Sequence, residues 1–368
     1  TDMFNSPKYA LQLARIVMVQ CVYIHCNNLS RGDKDMPFDI DSCYKLIQNY
    51  LKETPLILVG SGNSCACGIP GMSGIAQELI SKLDTNYNTD TQWQKFKQNI
   101  QSGLDLEAAL VNVDCCPALL QSICKCIWEY ITRYDLDLFR KIAHRTTDIG
   151  MGDLLKYLME THPQKINVIT TNYDRVIEYG CDLYDVDVDT YSKGMYKQHL
   201  DVNSDHRARV VKLLKIHGSL DWFEDERGRT VSIPLQSEIP DGMIPKIISP
   251  GDLKYRKILV GTPYRDILGE MDRLIKQASC YLCIGYGFND EQIQELIFTE
   301  AEKGKPIAIV TKKLLDSPKQ EVISHAKNYI IIEQDDVPTF SSISTNEGNI
   351  KIEDELWSVV GLTNRILY

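Results

Sequence analysis

Four short apolar runs constrain this chain most: Leu56–Val59, Ile166–Ile169, Val210–Ile216 and Cys280–Ile284. Each has the length of a strand and breaks at once into glycine or polar residues. Strands this apolar are covered by helices on both faces, which is the habit of parallel sheets. Helical patterns at Tyr264–Ala278 and Asp290–Glu302 alternate with the later strands. The expected fold class is therefore α/β, a doubly wound, Rossmann-like parallel sheet. The residues after each run then gather at the carboxyl end of the sheet, where open α/β sheets bind ligands.

Further strands are expected at Tyr184–Val188, Ile244–Ile248, Pro306–Val310 and Tyr329–Ile332. Between the first two core strands the pattern is helical: Ile75–Leu83, Trp93–Ile100, Leu104–Val113, Ala118–Arg133, Asp137–His144 and Leu154–Glu160. A simple crossover is far shorter, so residues 74–165 read as a helical insertion, suited to the wall or lid of a cleft. The chain divides into a helical N-terminal extension (1–54), a nucleotide-binding domain (55–315) and a C-terminal strand and tail (316–368). In the extension, Ser6-Pro7 opens a helix running through Tyr9, Leu13, Ile16 and Cys21; a polar loop at Asn27–Pro37 precedes a second helix at Asp39–Glu53. The tail reads as a polar linker at Ser341–Gly348 and a short helix at Glu353–Leu362.

The net charge of -10 argues against general affinity for nucleic acid or anionic membranes. No apolar run reaches bilayer length, and the N-terminal stretch lacks the basic region and unbroken apolar core of a secretory leader. Twelve cysteines are many, but Cys280 and Cys283 lie on a strand that points alternate side chains to opposite faces, a poor start for a metal site. Reduced core thiols in a cytoplasmic protein fit better, and no metal is expected.

Four motifs carry candidate chemistry. Gly60-Ser61-Gly62-Asn63-Ser64 follows the first strand, and Gly60, Gly62 and Ser64 suit a pyrophosphate approached by backbone N–H groups, although a tight turn without ligand would look the same. Thr171-Asn172-Tyr173-Asp174 follows the second; Asn172 can donate and accept hydrogen bonds to a ribose hydroxyl and a water, while Asn172 and Asp174 also suit a helix cap. His217-Gly218-Ser219 ends the third run, placing an imidazole able to take a proton near neutral pH; His144 and His162 lack such a setting. Gly285-Tyr286-Gly287-Phe288-Asn289-Asp290 ends the fourth and suits an adenosine half, with Gly285 and Gly287 for close approach, Phe288 for packing and Asp290 as ligand or helix cap.

In this order and spacing the motifs resemble the sirtuin family, in particular the divergent bacterial sirtuin-like proteins of antiphage defence. Gly60-Ser61-Gly62-Asn63-Ser64 with Gly68-Ile69-Pro70 resembles the first family motif with Ser61 in place of Ala; Asn172-Tyr173-Asp174, His217-Gly218-Ser219 and Gly285–Asp290 resemble the others. Two features depart from classical deacylases: Gly71-Met72-Ser73 follows Gly-Ile-Pro where they have Asp-Phe-Arg, and no cysteine lies between Gly218 and Ser279, where they carry a zinc module. Ser249–Lys254 loosely resembles a Pro-Gly-x-x-Lys element of the divergent branch.

The resemblance implies hydrolysis of NAD to nicotinamide and ADP-ribose, with NAD as substrate and no metal. Asn172 would hold water and ribose, His217 would act as base, and Asp174 would help electrostatically. Thr171 and Ser219 would join the glycine motifs in binding the nucleotide. It further implies abortive-infection defence gated by homo-oligomerisation or by a HerA-like ATPase partner. An NAD-dependent deacylase and a non-catalytic NAD or ADP-ribose sensor are the alternatives.

Overall fold

The computed structural model describes residues 39–111, 113–161, 165–194, 197–201, 209–248 and 263–367. The expected helix around Tyr9–Cys21, the loop Asn27–Pro37, His162 and the Ser249–Lys254 element lie outside the described residues. Among the described residues, fourteen strands alternate with helices. In chain order they are β1 (Leu56–Val59), β2 (Lys165–Thr170), β3 (Val188–Asp189), β4 (Ser192–Lys193), β5 (Gln198–Leu200), β6 (Val210–Lys215), β7 (Gly218–Glu224), β8 (Thr230–Ser232), β9 (Ile244–Ile247), β10 (Tyr281–Ile284), β11 (Ile307–Thr311), β12 (Tyr329–Gln334), β13 (Ser341–Thr345) and β14 (Asn349–Ile352).

Nine of them form one sheet in the order β14-β13-β12-β11-β10-β1-β2-β6-β3. From β12 to β3 every pairing is parallel. The α/β expectation holds, and the reason is burial: β1, β6, β10 and β11 are covered along their whole length, so neither face has room for a polar alternation. The chain leaves β1 toward β2 on one side and returns to it through β10 on the other. That reversal opens a crevice at the carboxyl ends of β1, β2 and β10, the topological switch point of such sheets.

Three expectations need correction. The expected linker at Ser341–Gly348 is part of an antiparallel hairpin, β13–β14, that extends the sheet beside β12. Its serines misled because Ser342 and Ser344 alternate with inward-facing Ser341, Ile343 and Thr345, a pattern of period two that composition hides. The strand expected at Tyr184–Val188 is mostly a turn and loop that follow a helix (Val176–Leu183), with Asp185 at φ 56, and only Val188 reaches the two-residue strand β3. Ile244–Ile248 does contain a strand, β9, but in a separate five-stranded sheet, β4-β5-β8-β7-β9, whose pairings are all antiparallel.

The helical insertion is present. Ala118–Arg133 and Asp137–His144 fuse into one helix, Pro117–Ala143, because Leu119, Ile123, Ile127, Ile131, Leu138 and Ile142 continue one buried stripe. Asp90 and Asp105 cap the helices that follow them by accepting backbone N–H bonds. Among the described residues no helix is long and apolar enough to cross a membrane.

Candidate functional site

The crevice holds two cavities that share Ser61 and Gly287. The inner one, about 100 Å³, is lined by Gly60, Ser64, Thr171, Asn172, Asp174, His217, Gly287 and Asp290 from the strand ends, with Glu107 and Ile131 from the helical insertion. The outer one, about 730 Å³, is lined by Gly62, Asn63, Gly285, Lys312, Lys313, Asp335 and Asp336 among others. Asn172 and His217, 45 positions apart by their numbers, therefore meet in one cavity.

The Asn172 loop is fixed atom by atom. Asn172 Nδ2 donates to the Gly60 carbonyl and to Ser64 Oγ, both at 2.9 Å. Ser64 Oγ donates to Asp174 Oδ1 at 3.0 Å, and that oxygen, just before the next helix, also accepts the Val176 N–H at 3.2 Å. With both amide protons committed, Asn172 offers a ligand only its carbonyl oxygen, an acceptor and not the donor-and-acceptor pair expected. Behind the loop, fully buried Lys215 donates to the Asp174 carbonyl at 2.5 Å and pairs with Glu178 at 2.7 Å. Burial pushes the Asp174 carboxyl up despite the opposing pull of Lys215.

His217 Nε2 lies 2.9 Å from Asp290 Oδ2. The other oxygen of Asp290 accepts the Gln292 and Ile293 N–H groups, so one carboxylate both caps the Glu291–Glu302 helix and orients the imidazole. Burial works against its charge, but the hydrogen bond and charge of His217 together with the Ile293 and Gln292 N–H bonds outweigh that, and the Asp290 carboxyl sits below its ordinary range. Gly218 supports the arrangement with φ +90; a Cβ there would lie 2.1 Å from the Lys246 carbonyl oxygen.

Gly60, Gly62, Gly285 and Gly287 all line the cavities, but the backbone N–H groups of the first motif are engaged within the fold. The N–H groups of Gly60, Gly62 and Asn63 are committed to Ile284 O, Gly285 O and Gly60 O. A Cβ on Gly60 would lie 2.6 Å from Gly285 O, and one on Gly62 would lie 2.8 Å from the Gly285 Cα. These glycines let two backbones touch. Gly287 differs: an added Cβ would meet Asn289 at an ordinary 3.5 Å, and its φ is not positive, so neither packing nor backbone demands a glycine.

Two sequence candidates do not face either cavity. Ser219 is fully buried and donates its hydroxyl to Asp221. Phe288 is buried at φ 56 between Tyr286 and Phe298, with ring centroids 4.9 and 5.7 Å away, and anchors the loop. Sequence reasoning missed Glu107, Lys312 and Lys313, which belong to no motif. It also passed over Asn63, whose buried Nδ2 has no partner among the described residues and lies in the wall of the outer cavity. The lysines directly after an apolar strand could have signalled themselves by the rule that ligands bind at strand ends; nothing local marks Glu107.

A family model described as a SIR2-like domain matches residues 166–336, spanning Asn172, His217 and Asp290 but stopping short of the first glycine motif. Similar solved structures include Sir2Tm bound to a propionylated peptide (15% identity, TM-score 0.41, covering 78% of this chain and 91% of that one). They also include a Sir2 homologue–NAD complex (13%, 0.39, 77% and 87%) and a Sir2 homologue variant with ADP-ribose (12%, 0.43, 76% and 88%). No curated protein matches the sequence.

Proposed function

We propose that this chain hydrolyses NAD to nicotinamide and ADP-ribose. The observation that carries the reading is the convergence of Asn172 and His217 on one cavity at the switch point. The SIR2-like match over 166–336 agrees with it. The adjoining outer cavity has the exposed Lys312–Lys313 pair as groups able to hold phosphate oxygens. The bare face of Gly287, shared by both cavities, would let the pyrophosphate pass from one to the other.

Nicotinamide departs as a neutral ring with the electrons of the C–N bond, so no acid need protonate it. The barrier lies in forming an oxocarbenium-like ribose. Asn172 would hold the water or a ribose hydroxyl through its free carbonyl oxygen. His217, oriented by Asp290, would accept a proton from a ribose hydroxyl or from water, and Asp174 would support Asn172 through Ser64. The nucleotide-binding unit is taken as residues 55–315, with the helical 74–165 insertion closing the inner cavity, between the 1–54 extension and the 316–368 tail. An ungated NAD hydrolase would deplete its own cell, so we place the activity in the cytoplasm, in abortive-infection antiphage defence, controlled by homo-oligomerisation or a HerA-like ATPase.

Purified chain incubated with NAD, alone and with its genomic neighbour, should release nicotinamide in amounts equal to ADP-ribose. Release of acetyl groups from an acetylated peptide, dependent on NAD, would instead select a deacylase. Tight nucleotide binding without nicotinamide release would select a sensor.

A further inference from the structure

We propose that Glu107, carried by the helical insertion, is the base that takes the proton of the attacking water, leaving the His217–Asp290 pair to serve the ribose hydroxyl. This rests on the hydrolase reading above. The argument begins with what each acid in the inner cavity already does. Asp174 is bonded to Ser64 and the Val176 N–H; Asp290 is bonded to His217 and two helix N–H groups. Glu107 lines the same cavity, and among the described residues its carboxylate makes no hydrogen bond or ion pair. It is the one acid there left for a ligand or a water.

Its position is held firmly. The Leu106–Leu110 helix is capped by Asp105, which accepts the Ala108 N–H at 2.7 Å. Leu106, Ala109 and Leu110 bury the other side of the turn, and Asn99 Nδ2 ties the Ala109 carbonyl at 2.9 Å. A half-buried carboxylate on so fixed a support has little freedom to turn to bulk water. The same cavity is lined by Ile69, Ile75 and Ile131, whose side chains cannot solvate a carboxylate. Burial accordingly raises its pKa, partly offset by the charge of His217, and a carboxylate so raised is a stronger base.

The step balances. The C1′–N bond breaks with its electron pair going to the nicotinamide nitrogen. A water oxygen forms the C1′–O bond, its proton passes to the Glu107 carboxylate and then to solvent, and the product is ADP-ribose. The role also gives the insertion a purpose: the strand ends supply the sugar-binding groups, and the helical wall supplies the group that activates water.

The test compares wild type, Glu107→Gln and Glu107→Asp for nicotinamide release, with thermal melting as a check on folding, and repeats each in added azide. Azide attacks without a proton to lose. Glu107→Gln should lower kcat on the order of a hundredfold to ten-thousandfold with KM little changed, and Glu107→Asp should retain part of the rate. Azide should restore turnover in Glu107→Gln, yielding azido-ADP-ribose by mass spectrometry, and leave wild type unaffected. Wild-type-like turnover in Glu107→Gln, or a folded variant that azide does not rescue, overturns the role while leaving the hydrolase reading intact. A wild-type chain that releases no nicotinamide overturns both together.

Discussion

The two cavities of the crevice are built by opposite means. In the inner one nearly every polar group is already engaged: Asn172 to Gly60 and Ser64, Ser64 to Asp174, His217 to Asp290. The outer one is wide, its lysines are exposed, and the buried Nδ2 of Asn63 has no hydrogen-bond partner among the described residues. Groups locked before the substrate arrives do not reorganise during the reaction, which favours catalysis. Groups left open favour binding. The contrast teaches that the small cavity should control turnover and the large one affinity.

Replacing the inner pair breaks that contrast most directly. Asn172→Ala and His217→Ala should each reduce nicotinamide release by roughly a hundredfold to ten-thousandfold in a chain that still folds, with melting lowered only by the hydrogen bonds each removes; undiminished release from either removes the assignment. The glycines separate the structural part of the wall from the open part. Gly60→Ala should destabilise the fold by about 1–3 kcal/mol, read from the denaturant midpoint, because its new methyl meets the Gly285–Tyr286 backbone at 2.6–2.7 Å. Gly287→Ala should leave stability unchanged and raise KM for NAD, since the methyl enters space shared by both cavities. Equal stability losses in the two variants would show that the distinction between them is false.

A pH series sharpens the inner half. The carboxyl of Asp290 is lower in the folded chain than in the unfolded one, so its contribution is complete above the unfolded value of about 4 and fades as pH falls through the folded value. The stability gap between wild type and Asp290→Asn, followed by denaturant midpoints, should therefore close on acidification. A gap that widens toward low pH would contradict the sign. The smallest effect is expected at the outer rim: Lys312→Glu with Lys313→Glu should raise KM for NAD modestly, more at low salt, with kcat kept. A fall in kcat alone would place the lysines with the chemistry instead.

Much of this was legible in the sequence for a local reason. Strands such as Leu56–Val59 and Tyr281–Ile284 are apolar at every position, and a run that must be buried on both faces has few folds open to it. The His217 and Asn172 motifs stood at the ends of such runs, so their place at one edge of the sheet followed. Ser341–Thr345 escaped because two of its three inward positions, Ser341 and Thr345, are small hydroxyl residues that find partners inside the fold, Ser341 Oγ donating to the Asp354 carbonyl and Thr345 Oγ1 to the Gly348 carbonyl. The second sheet escaped because β7 begins one residue after His217, across a glycine whose strand partner, Ile247, is 29 positions away.

The sequence by itself determined the parallel sheet and the edge at which its polar motifs collect, since period and apolarity are properties of neighbouring residues. Only the tertiary structure decided which groups there remain available. It bonded both Asn172 protons and the N–H groups of Gly60, Gly62 and Gly285, turned Ser219 and Phe288 away, and brought Glu107 in from the insertion. Hydrogen-bond capacity is filled by whatever the fold sets alongside, and those partners are distant in the chain.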